Sequence, residues 1–236
     1  MVPFKSLNSA HIIETLERLA DRVRERFPDA SLNNVVTEVI DLGKRDRRRS
    51  ERLARPYILL RMGTAAAIIG AVISLAYMGY WLFSAIGVDG DGFDIFNIFE
   101  GVEAGLNIVI LAAVAIFTLS RIEERLKRSL ALDDLHELRS IAHIIDMHQL
   151  TKDPTAVLKL GPRTASSPTR EMSDFELSRY LDYCAELLSL AGKIAALYAQ
   201  SSRDPVVIAA VNDIETLTSN MSAKIWQKII IVRDSA

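Results

Sequence analysis

"MGTAAAIIGAVISLAYMGYWLFSAI", Met62 to Ile86, runs for 25 residues without an Asp, Glu, Lys, Arg or His. A helix needs about 20 mainly apolar residues to cross a hydrocarbon core about 30 Å thick. The run therefore predicts a transmembrane helix, and the rest of the chain is read from it. Within it Ala66, Gly70 and Ser74 recur at four-residue spacing. That places three small side chains on one face, where another helix can approach closely. Tyr77, Tyr80 and Trp81 gather near one end, as expected of rings anchored at a membrane interface.

A second apolar stretch, Ala104 to Ser120, has 17 residues free of Asp, Glu, Lys and Arg. It spans if Gly101 to Glu103 sits among the headgroups. The short link between the two stretches makes them antiparallel neighbours, and in lipid each must satisfy its own backbone as a helix. The expectation is a two-helix transmembrane hairpin over 56–120, with spans at about 58–86 and 102–120 and an acidic loop at 87–101. Lys44, Arg45, Arg47, Arg48, Arg49, Arg52, Arg55 and Arg61 precede the first span, and Arg121, Arg125, Lys127 and Arg128 follow the second. Between Met62 and Ser120 there is no Lys or Arg. By the positive-inside rule both termini face the cytoplasm and the acidic loop faces outward, in a multi-pass protein of the plasma (inner) membrane. The first 55 residues are polar and lack an apolar signal core, so insertion is expected to use an internal span.

The whole-chain averages conceal this layout. The 236 residues are half apolar with a formal charge of -2, values that suit a soluble protein. The charges, however, are sharply segregated. The single cysteine, Cys184, excludes an intrachain disulfide scaffold.

The loop "DGDGFDIFNIFEGVEAGLN", Asp89 to Asn107, carries five carboxylates and no Lys or Arg. An exported loop needs no positive charge, so topology alone accounts for its sign. A second reading concerns Asn97, Glu100, Glu103 and Asn107, which recur at three or four residues and share one stripe if helical. Repeated around a symmetry axis, the stripe forms an acidic cation mouth. This layout resembles two-span acidic-loop channels such as the mitochondrial calcium uniporter pore, although that family's tryptophan-and-acid signature before the second span is missing. Two-span membrane-disrupting effectors of bacterial defence systems are also similar in layout. An EF-hand spacing begins at Asp89 and Asp91 and ends at Glu100, but Phe93 and Asp94 occupy positions five and six, where a ligand and a glycine belong.

Outside the hairpin the chain reads as all-α. Residues 1–55 supply helices with one face at Ile12, Leu16, Leu19, Val23 and Phe27 and another at Leu32, Val35, Val36, Val39 and Ile40. Their basic end, with Arg47, Arg48, Arg49, Arg52 and Arg55, lies close enough to the bilayer for lipid headgroup contact, and nucleic acid is not the expected partner. Residues 121–160 form an extension helix with Leu135, Leu138, Ile141, Ala142 and Ile145 on one face. Residues 161–172 are a linker, and 173–236 a helical hairpin. Ser173 to Glu176 starts its first helix as a capping box, and Asp204-Pro205 starts its second. Long apolar faces on both helices imply self-association or a cytoplasmic protein partner, with Trp226 as a candidate anchor.

His136, His143 and His148 do not form a metal site, because His136 and His143 are seven residues apart, about 10.5 Å along a helix axis. His136, His143 and Asp146 are instead candidates for a pH-responsive or partner contact. No phosphate loop, nucleophile elbow, zincin motif or cofactor fingerprint occurs. The sequence therefore predicts a non-enzymatic protein without cofactor.

Overall fold

The computed structural model describes residues 6–53, 58–88, 95–150, 152 and 172–234, and among these all regular structure is helical. The helices are α1 (Ser9–Arg26), α2 (Leu32–Leu53), α3 (Ile58–Val88), α4 (Ile95–Leu150), α5 (Asp174–Ser201) and α6 (Pro205–Asp234). The chain divides into two units: residues 1–54 with 128–236, and residues 55–127.

The first unit is a bundle around α5, which packs against α6, α1 and α2. Its helices start and stop where local chemistry dictates. Asn8 caps α1 by accepting from the Ala10 N–H at 2.9 Å. The turn before Pro28 closes when the Asn33 amide donates to the carbonyls of Phe27 and Pro28. Ser173 and Glu176 form the reciprocal capping box at the start of α5, which satisfies two orphan donors at once. Asp204 accepts from the N–H of Val206 at 2.8 Å and begins α6.

The faces expected from helical periodicity are buried. Leu16, Leu19, Val39, Leu138, Ile145, Leu181, Leu188, Ile194 and Val211 share one apolar core, and Phe27 meets Tyr180 and Tyr183 edge-on at 5.5 and 6.2 Å. α5 and α6 approach closely at Gly192, where an added Cβ would lie 2.8 Å from Thr218 Oγ1. Hydrogen as a side chain is what permits the crossing. Two interior links cross between helices. Tyr198 donates to buried Asp134 at 2.8 Å, and Lys228 donates to the side chain of buried Gln149 at 2.6 Å. Ionic pairs on the outside are Arg22–Glu186, Arg45–Glu137 and Arg128–Asp204.

The second unit contains α3 and the apolar part of α4, and each of these helices is long and apolar enough to cross a membrane. None of the apolar window of α3, and 6% of that of α4, is buried. The pairing of the two helices can be read from their glycines. A Cβ on Gly63, early in α3, would touch Leu119 at 3.6 Å, whereas one on Gly105 would collide with Met78 and reach Leu75, late in α3. Early meets late, so the two helices run antiparallel. Gly101, Gly105, Ile108, Ala112 and Leu119 of α4 form the covered stripe, matched on α3 by Gly63, Ala67, Ala71, Ser74 and Met78.

Two features bear on where the helices begin and end. The stretch 87–101 is helical at both ends, since α3 continues to Val88 and α4 begins at Ile95. Residues 102–120 and 121–150 lie on one uninterrupted helix of 56 residues, about 84 Å long at 1.5 Å per residue. No glycine or proline occurs between Leu106 and Leu150 to break it.

Candidate functional site

The acidic stripe lies at the start of α4. Glu100, Glu103 and Asn107 are all exposed, because the glycine-containing stripe of the same helix is the one turned toward α3. Asn97 is on the first turn of α4, with its side chain outside the described residues. Asp89, Asp91 and Asp94 lie outside them altogether. The small-residue ladder of α3 divides between two faces. Ser74 is partly covered on the α4 side, while Ala66 and Gly70 are exposed, and a Cβ on Gly70 would have no neighbour within 4 Å. The hairpin contact thus uses the stripe one residue along, at Gly63, Ala67 and Ala71.

The basic run continues α2, so Arg47, Arg48, Arg49 and Arg52 are helical. Arg48 is exposed, whereas the side chains of Arg47, Arg49 and Arg52, and Arg55 entirely, lie outside the described residues. The linker residues 161–171 do so as well.

On α4, His136 and His143 are exposed on the side away from the core. Asp146 accepts from the Gln149 amide at 2.6 Å. His148 turns inward, with its Nδ1 3.2 Å from the Ser31 hydroxyl. No group of three or more His, Cys, Asp or Glu that could hold a metal occurs among the described residues. Burial pushes the Cys184 thiol up to about 12, against the opposing pull of Lys152 and Lys228. At that value the thiolate is absent at neutral pH and the side chain serves as a small apolar group.

One concavity of the bundle is a groove of about 770 Å³. Its floor is α5 at Ala185, Ser189 and Gly192, one wall is α6 up to Trp226, and Thr15 of α1 closes the other side. Trp226 is 47% exposed, and Asp182, Glu186 and Glu215 stand on the rim with Lys193. A second concavity of about 610 Å³ lies where α1 ends and α5 begins, lined by Arg22, Arg26, Phe175 and Arg179. Arg179 Nη1 binds Asp182 at 2.7 Å, and its guanidinium, like that of Arg22, stacks on Tyr183. These guanidinium charges are therefore already engaged by neighbouring carboxylates and rings.

Sequence periodicity marked Trp226 but not its groove, which needs the tertiary arrangement of three helices. The Asp134–Tyr198 and Gln149–Lys228 links were also missed, since residues 64 and 79 positions apart leave no local pattern. The carboxamide of Asn107 on an apolar surface, and the indole of Trp226 beside its groove, are the polar and aromatic features the bundle and hairpin leave open to a partner. No protein-family model, curated protein or solved structure matches this chain.

Proposed function

We propose that this chain is a non-enzymatic, two-span membrane protein whose helical bundle mediates self-association or partner docking. The observation that carries the reading is the contrast in cover. Ile68, Val72, Val109, Leu111 and Phe117 are 47–69% exposed on the hairpin, while the apolar faces of α1, α2, α5 and α6 are buried. An exposed apolar surface of that extent in water marks a membrane or protein contact. Hydrocarbon supplies that contact for helices of this length. The basic residues flanking both spans support an orientation with both termini in the cytoplasm, in a protein of the plasma (inner) membrane.

The bundle supports docking through the groove beside Trp226, a ring of the type enriched at binding hot spots. Three measurements test the reading. The protein should resist alkaline extraction from vesicles, and a reporter fused after Gly90 should be accessible from outside. Light scattering in mild detergent should give a mass above that of one chain. Extraction by alkali or a shielded reporter would overturn it, and a monomer would remove self-association and leave partner docking.

One observation favours a second function, an oligomeric cation channel. Glu100, Glu103 and Asn107 are all exposed, where several copies could bring their oxygens to a common axis. Cation flux in liposomes should then fall in the double variant E100Q/E103Q, and unchanged flux would remove the reading.

A further inference from the structure

The hairpin carries its own depth scale. Gly63 of α3 lies beside Leu119 of α4, and Gly105 of α4 lies beside Leu75 and Met78 of α3. By the same register Arg61 is about level with Arg121, so the last basic residue before one span and the first after the other mark a common plane. From that plane a hydrocarbon core about 30 Å thick takes up about 20 residues at 1.5 Å each. On α3 the count ends near Tyr80. Tyr77 and Tyr80 are 72% and 71% exposed there, as rings at a membrane interface should be. On α4 the count ends near Gly101.

The two helices differ in what lies inside that edge. Residues 75–86 of α3 include no Asp, Glu, Lys, Arg, His, Asn or Gln. At matching depth α4 carries Glu103, about 3 Å inside, and Asn107, about 9 Å inside. Both are exposed, because Gly101 and Gly105 are the residues of α4 turned toward α3. Asn107 has no hydrogen-bond partner among the described residues. A carboxyl or carboxamide is costly in hydrocarbon while its hydrogen bonds stay unmade. The uncharged run of α4 is also short, 17 residues at 104–120 against 25 at 62–86 of α3, and a bilayer thins around a span too short for it.

We infer that the bilayer surface dips along α4, so that water descends on that flank to Asn107, while the lipid against α3 keeps its full thickness. The leaflet concerned is the one at the end of the hairpin where α3 finishes and α4 begins. Water there completes the hydrogen bonds of Glu103 and Asn107, which no group of α3 supplies. The apolar residues of α3 at the same depth give water no such reason to enter. The hairpin thus thins one leaflet on one flank only. The inference rests on the reading that lipid surrounds the hairpin.

Cysteine labelling of the full-length protein in its native membrane, opened so that reagent reaches both sides, tests it. The probe is a maleimide that stays in water and does not enter lipid. Leu106 of α4 and Ala76 of α3 are about level, and both are exposed. The parent chain, whose only cysteine is buried, serves as the blank. L106C should label severalfold faster than A76C, and adding E103L/N107L to L106C should bring its rate down to that of A76C. Alkaline extraction is run in parallel on every variant. Equal rates for L106C and A76C, or labelling of L106C indifferent to E103L/N107L, in protein that resists extraction, overturns the dip and leaves the membrane reading standing. Release of the parent protein by alkali overturns both.

Discussion

In the bundle, the side chains that water rejects are covered by other parts of the same chain; in the hairpin, equally apolar side chains are left uncovered. Leu138, Leu181 and Leu188 show no exposed surface, while Leu106 and Leu111 of α4 are 60% and 69% exposed. The difference is not one of helix-forming tendency, since α4 carries both patterns along one unbroken length. It is one of periodicity. An apolar stripe repeated every three to four residues can be buried against a neighbour, whereas a helix apolar on all sides needs an apolar medium. Polar groups follow the same division. In the bundle Asp134, Gln149 and Thr218 are buried and bonded, and in the hairpin the Asn107 carboxamide waits for a partner.

The sharpest way to break this comparison is to charge the uncovered surface. The double variant I68K/V72K should abolish membrane retention, because each lysine costs about 2.5–3.5 kcal/mol near the centre of a span. The soluble fraction should rise while the helical signal of the bundle persists. A protein that stays with the membrane would mean that the hairpin is covered by something other than lipid. Removing covered volume should do the reverse. L188A should destabilise the bundle by about 2–5 kcal/mol, seen as a lower thermal midpoint, with membrane retention unchanged.

A subtler intervention targets the α5–α6 crossing. G192A should cost about 1–3 kcal/mol through overpacking against Thr218, and T218A should recover part of it in the double variant. Additive losses in a thermal-melt cycle would show that the crossing is not set by that contact.

The smallest expected effect is electrostatic. Burial pushes the Asp204 carboxyl up, but the Arg128 guanidinium and the N–H groups of Val206 and Val207 more than offset it, so its folded value is below the usual 3.8. A lowered folded value contributes stability that is fully present above the unfolded one and is lost as pH falls through the folded one. Bundle stability should thus hold steady from neutral pH down to the usual carboxylate range and decline below it. D204N should flatten that decline and, since the Asn amide oxygen can still cap α6, lower stability at neutral pH only by the lost ion pair with Arg128, about 0.2–1 kcal/mol. An unchanged acid profile in D204N would assign the decline to other carboxylates.

Much of the helical layout was legible in the sequence because its signals are local. The run Met62–Ile86, the capping pair Ser173 and Glu176, and the stripe from Leu177 to Tyr198 are read from neighbours a few positions apart. The continuity of α4 through Ser120 was legible too, since the extension helix starts where the second span ends with no glycine or proline between them. Contacts that join distant positions had no such signal: Gly192 needs Thr218 in place before its missing side chain has meaning, and Asp134 looks like a surface residue until Tyr198 covers it. The same holds for the hairpin. The spacing of Ala66, Gly70 and Ser74 marks a close-packing stripe, but only the register against Leu119 and Gly105 shows that Ala66 and Gly70 lie off the α4 contact.

The unbroken course of α4 makes the angular phase between its apolar front and its amphipathic rear a matter of counting. Adding or deleting one residue among 121–127 shifts the phase of Leu135, Leu138 and Ile145 along α4 by about 100° against the apolar front of the same helix, while seven residues restore it to within about 20°.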